Sequence, residues 1–67
     1  MKFKKGDVLC YRGRKHEIHK VVLSVDEDQP SKYKLMTTKH VGSDPLLGNI
    51  VWLGSLYVET MYEVQEG

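Results

Sequence analysis

The chain is predicted to be all-β, with five short antiparallel strands closed into a small barrel, and three observations carry that prediction. Its 67 residues contain short alternating or β-branched apolar runs. Loops rich in glycine, proline and acidic residues separate those runs at close intervals. No segment is long enough to argue for an amphipathic helix. Closure is expected because a flat sheet of such strands would leave exposed edges.

The first two strands come from GDVLCYRGRKHEIHKVVLSV, residues 6–25. A short apolar run, a turn centred on Gly13 and a longer β-branched run make a hairpin signal. The second run is not a clean alternation, because Ile18 is even-numbered while Val21, Leu23 and Val25 are odd. A period-2 strand cannot send both sets to one face without an extra residue. A bulge near His19 and Lys20 reconciles them, and bulges let a long strand turn the corner of a small barrel. A strand buried on both faces around Val21 to Leu23 is the alternative.

DEDQPSK, residues 26–32, has no apolar residue and contains Pro30, so it is a loop. YKLMTT, residues 33–38, is the third strand, with Tyr33, Leu35 and Thr37 on one face and Lys34, Met36 and Thr38 on the other. KHVGSDPLLG, residues 39–48, reads as a longer loop whose Leu46 and Leu47 fold back as a lid on the core. NIVWL, residues 49–53, is the fourth strand. After Gly54, the residues Leu56, Val58, Thr60, Tyr62 and Val64 alternate with Tyr57, Glu59, Met61 and Glu63 through a full fifth strand. A single 3₁₀ turn over residues 55–58, followed by a shorter strand, is the competing reading.

A chain of 67 residues is one domain, and a domain this short buries only about 60% of the surface its unfolded form exposes. The lone Cys10 has no partner for an intramolecular disulfide, so a reducing, cytoplasmic setting is expected. MKFKKGD leads into Asp7 and Arg12 and not into an apolar run, so no signal peptide is expected. No window approaches the ~20 apolar residues of a membrane span.

The net charge is only +1, yet the charges are sorted along the chain. All ten lysines and arginines precede His40. Residues 1–20 carry Lys2, Lys4, Lys5, Arg12, Arg14, Lys15 and Lys20 against Asp7 and Glu17. Residues 40–67 carry Asp44, Glu59, Glu63 and Glu66 with no lysine or arginine. Such sorting points to a face that meets a polyanion or an acidic partner.

KKGDVLCYRGRKHEI, then an acidic loop, then YKLM, then IVW before a terminal YEV, resembles the SH3-like small barrels of KOW and Tudor-type modules and of short phage and bacterial proteins. The likeness covers most of the chain and rests on Gly6, Asp7, Val8, Tyr11, Gly13, Tyr33, Val51 and Trp52. It departs from the KOW glycine spacing after Gly13, where Arg14, Lys15, His16 and Glu17 stand. What it implies is the fold, a five-stranded antiparallel SH3-like barrel, and not a particular ligand.

The leading functional expectation is a non-enzymatic module that contacts nucleic acid or a ribonucleoprotein. Lys2, Lys4 and Lys5 on the arm before the first strand, with Arg12, Arg14, Lys15 and Lys20 around the hairpin, could reach one phosphate backbone. Tyr11 beside them could stack on a base or sugar. The alternative is a protein-interaction or regulatory factor, phage or mobile-element encoded, binding a host protein or a second copy through the C-terminal strand. Trp52, Leu53, Leu56, Tyr57 and Met61 form the densest apolar region, and most of it should be core. Alternation nevertheless sends Tyr57 and Met61 outward beside Glu59 and Glu63, a composition that suits a protein contact.

No cofactor, metal or catalysis is expected. Cys10, His16, His19 and His40 would be the right number of ligands for zinc, but no C-x-x-C or H-x-x-x-H pair is present. His16 and His19 fall on opposite faces of a regular strand. Cys10 with either histidine is a poor nucleophile and base pair, because a cysteine inside an apolar strand is usually packing. Asp26, Glu27 and Asp28 share one loop and face nothing across a bond, and GSDPLLG has no lysine to make it a phosphate-binding loop.

Overall fold

The alternation at Tyr33, Leu35 and Thr37 sets the inner face of the molecule, where all three are buried. Lys32, Lys34 and Met36 between them are partly exposed on the other face. In this computed structural model, which describes residues 1–65, they belong to β3 (Lys32–His40). β3 pairs on one side with β2 (Ile18–Asp26) and on the other with β4 (Ile50–Gly54). β1 (Val8–Tyr11) pairs with β2 and with β5 (Tyr62–Val64). The result is one five-stranded antiparallel sheet in the order β4-β3-β2-β1-β5. A single helix, α1 (Ser55–Met61), lies between β4 and β5 in the chain. Glu66 of the acidic C-terminal set lies outside the described residues.

The irregularity expected in β2 is present, but it has two parts. The register passes from His19↔Lys39 to Lys20↔Thr37, so the extra residue at this point is Thr38 of β3. It then passes from Val22↔Leu35 to Ser24↔Lys34, which makes Leu23 the extra residue of β2. The parity switch in β2 therefore falls at Leu23 and not at His19. Before it, Val22 points into the core opposite Leu35, and after it Val25 packs there opposite Tyr33. Lys20, opposite Thr37, consequently faces the inner side of the sheet.

The expected full fifth strand is replaced by α1 and the short β5. The competing turn-then-strand reading comes nearer, although the turn is α-helical. A helix repeats every 3.6 residues, so Val58, Met61 and the following Tyr62 lie toward the core while Leu56 is 80% exposed. A helix of 7 residues has little stability of its own. It is held by the burial of Val58 and at its start by Ser55, whose N–H donates to Ser31 O at 3.0 Å and whose hydroxyl lies 2.6 Å from that of Ser31. Local β-propensity yields here to tertiary packing.

The core consists of Phe3, Leu9, Val22, Tyr33, Leu35, Val58 and Tyr62, with Tyr11, Val25, Leu53 and Met61 packed against it. Trp52, expected there, is half-exposed, and Leu46 and Leu47 form no lid over it, being 38% and 45% exposed. Their segment instead makes a 3₁₀ turn, Asp44–Leu46, opened by Pro45.

Phe3 ties down the N-terminal arm. Its ring is buried against Tyr33, with centroids 5.8 Å apart, and its N–H donates to the Tyr33 hydroxyl at 3.1 Å. A turn closes behind it, where Asp7 N–H donates to Lys4 O at 3.0 Å and Lys4 N–H to Asp7 Oδ2 at 3.1 Å. Gly6 occupies φ +94° in that turn, a conformation glycine adopts without penalty. Gly6 N–H then donates to Val22 O and Val22 N–H to Asp7 O, each at 2.9 Å, which joins the arm to β2.

Candidate nucleic-acid interface

The outer face of β3 and β4 combines an exposed indole with cations. Cross-strand register sets Lys34 opposite Trp52 and Met36 opposite Ile50, while Lys32 faces the end of β4 at Gly54. Trp52 is 47% exposed, and the ammonium groups of Lys32 and Lys34 each lie 6.0 Å from its ring centroid. At that range the cations are drawn to the ring face, and the pairing positions the long lysine side chains beside the indole. Ile50, 53% exposed, extends the apolar surface along the strand.

Trp52 also borders an open hollow of ≈ 720 Å³ whose wall includes Lys4 and Lys5 of the arm. Asp26, Glu27 and Asp28 line the same hollow, and Asp26 stands directly across from Lys32 in the pairing of β2 with β3. Those carboxylates are partly engaged, since Asp26 accepts a hydrogen bond from Asp28 N–H at 3.0 Å and Glu27 lies 3.7 Å from the N-terminal ammonium. The ion pairs among the described residues are that contact, Arg14 with Glu17 at 2.7 Å and Lys15 with Glu63 at 2.9 Å. Lys4, Lys5, Lys32 and Lys34 enter none of them.

The cations singled out in the sequence do not converge on one region. Lys4 and Lys5 stand beside Trp52. Lys2 and Lys15 line a hollow of ≈ 490 Å³ with Glu63. Phe3 lines both depressions. Lys20 and Tyr11 line a third hollow, which shares no lining residue with either. The hairpin arginines reach backbone carbonyls, Arg12 donating to Thr60 O and Arg14 to Val41 O at 3.5 Å each. The 3₁₀ turn Arg12–Arg14 holds them there. Lys15 has its pKa raised and Glu63 has its lowered, each chiefly by the hydrogen bond between them.

The residues expected to make a protein contact are also distributed differently. Tyr57, Glu59 and Met61 lie on α1 and Glu63 on β5, so no single strand face unites them. Glu59 accepts hydrogen bonds from the Tyr33 hydroxyl and from Lys2 N–H, and Met61 packs against the core. Tyr57 is 49% exposed and meets Tyr62 edge-on at 6.4 Å.

Cys10 and His19 face each other across β1 and β2, His16 lies in the connection before β2, and His40 ends β3. Among the described residues no three His, Cys, Asp or Glu side chains gather as a metal site. None of the helices described is long and apolar enough to cross a membrane.

Trp52, Lys32 and Lys34 escaped the sequence reading as a group. The alternation in residues 33–37 already separates Lys34 from the core face. The pairing of Lys34 with Trp52, however, is a register between strands separated by a nine-residue connection, Val41 to Asn49, and no local pattern specifies it. No family model matches the chain, and neither a curated protein nor a solved structure matches it.

Proposed function

We propose that the chain is a non-enzymatic binding module that holds single-stranded nucleic acid, free or within a ribonucleoprotein, on the face built by Trp52, Lys32 and Lys34. The observation that carries this reading is the half-exposed indole with two ammonium groups 6.0 Å from its centroid, neither in an ion pair among the described residues. A base stacked on such a ring gains roughly 1–3 kcal/mol, while lysines beside it neutralise the adjoining phosphates. Lys4 and Lys5 extend the cationic track from the same hollow. Asp26, Glu27 and Asp28 repel phosphate, and because Asp26 stands across from Lys32 while Ser24 stands across from Lys34, the strand is directed toward Lys34.

The same reading takes the sheet as an SH3-like barrel. Leu53 of β4 and Tyr62 of β5, the two edge strands, pack on one core with Val58 of α1, which supports a sheet curled until α1 bridges its edges. A cytoplasmic setting belongs to it as well, because Cys10 is a buried free thiol.

Trp52 is the single tryptophan, so its fluorescence reports this face alone. Titration with an oligodeoxythymidine of about a dozen residues should quench it saturably, with affinity falling steeply between about 50 and 200 mM salt. Lys32→Ala with Lys34→Ala should weaken binding at least about tenfold, the loss of two charged contacts. Unquenched emission at low salt, or binding that ignores salt, would discard the proposal.

A further inference from the structure

A hollow of ≈ 280 Å³ that shares no residue with the Trp52 face is lined by Tyr11, Tyr57 and Tyr62 together with Lys20 and His40, with Val51 among its apolar walls. Tyr62 meets Tyr11 edge-on at 5.4 Å and Tyr57 at 6.4 Å, so the three rings brace one another. The polar equipment is one-sided: among the described residues, no aspartate or glutamate lines this hollow. Lys20 brings an ammonium that enters none of the ion pairs among the described residues. Lys20 stands on the inner side of the sheet opposite Leu9 and Thr37, two residues before the inward-facing Val22 of the same strand. Burial pushes the Lys20 amine below its ordinary pKa, the mark of an ammonium that has lost water without gaining an anion. Nδ1 of His40, which lines the same hollow, is buried with no hydrogen-bond partner.

The geometry points to this hollow as a binding site for a small carboxylic acid with a compact apolar body. The Lys20 ammonium takes the carboxylate, the tyrosine hydroxyls and His40 supply further hydrogen bonds, and the aromatic rings with Val51 enclose the apolar part. A positive charge with no carboxylate beside it among the described residues selects an anion, and the small volume limits the ligand to about one amino-acid side chain with its carboxylate. The inference is independent of the nucleic-acid reading, since it shares no residue with the Trp52 face.

Its test is a titration of isotope-labelled protein with N-acetyl-leucine, with N-acetyl-leucinamide, with a short acetylated peptide ending in a leucine carboxylate, and with inorganic phosphate. N-acetyl-leucine should shift the amide resonances of Lys20, His40 and Tyr57 saturably, and the amide should not. Tighter binding of the peptide would assign the carboxylate to a chain terminus, whereas equal or weaker binding would assign it to a free acid. Lys20→Met, which keeps the apolar stem, should weaken binding at least about tenfold, and Tyr57→Phe on the exposed side of α1 should weaken it less. The proposal is overturned by an absence of saturable shifts, by equal binding of acid and amide, or by phosphate producing the same shifts.

Discussion

The hydroxyl of Tyr33, a fully buried residue of β3, donates a hydrogen bond to Oε2 of Glu59 on α1 and accepts one from Phe3 N–H at 3.1 Å. Lys2 N–H reaches the same Glu59 oxygen at 3.1 Å. One phenol thus links the arm, the sheet and the helix. Tyr33→Phe removes the donor to a carboxylate and leaves Phe3 N–H without an acceptor. We expect a loss of about 1–3 kcal/mol in urea unfolding, with the arm exchanging its amide hydrogens faster.

The same contact makes stability depend on acid. The Tyr33 hydroxyl foremost, then Lys2 N–H, holds the Glu59 carboxyl below the usual range against the opposing effect of burial. A group whose folded pKa is depressed stabilises the fold above its unfolded value, about 4.3 for glutamate, and that contribution disappears as pH falls through the folded value. Urea midpoints of the wild type should therefore drop on acidification below about pH 4. Tyr33→Phe should flatten that dependence, and an unchanged acid slope in the variant would show that another carboxylate carries it.

At the alkaline end the sign reverses. Burial foremost pushes both Tyr33 and Tyr62 up to about 12, helped by Glu59 in the first case and by the neighbouring Tyr57 and Tyr11 in the second. Phenols with raised folded pKa values stabilise the native state fully below their unfolded value of about 10, and the contribution is lost as pH climbs toward the folded one. Tyrosinate absorbance should show a late-titrating pair, with unfolding setting in between about pH 10 and 12. Two variants, Tyr33→Phe and Tyr62→Phe, should each remove one late phenol.

Leu35 and Leu56 test where the sequence could be read and where it could not. Period-2 alternation over residues 33–37 puts Leu35 inside, and it is fully buried there. The same rule carried past Gly54 puts Leu56 inside as well, although helix α1 leaves it 80% exposed. A stretch as short as residues 55–61 fits either period, and the choice is made by Val58 filling the core and by Ser31 receiving Ser55, contacts between distant segments. Distance likewise hid the Trp52 site, whose lysines are visible in the sequence while their cross-strand partner is not. Leu35→Ala should cost about 2–5 kcal/mol, much of what a domain of this size possesses, and Leu56→Ala should stay within about 0.5 kcal/mol. Thermal unfolding of the two variants decides the matter, and similar losses would mean that the alternation continues past Gly54.

Arg14 and Lys34 distinguish the two cationic surfaces. Arg14 is held by Glu17 at 2.7 Å and by Val41 O, so its charge is already matched by a carboxylate that would oppose a phosphate. Lys34 has no carboxylate partner among the described residues and stands 6.0 Å from the Trp52 ring. A lysine that releases a counterion on binding single-stranded nucleic acid contributes about 0.7 to the slope of log affinity against log salt. Lys34→Ala should reduce that slope by about this amount, while Arg14→Ala leaves it nearly unchanged and lowers stability only slightly, as expected of an exposed ion pair. The reverse result, a slope lost with Arg14 and kept without Lys34, would move the interface from the β3 and β4 face to the hairpin.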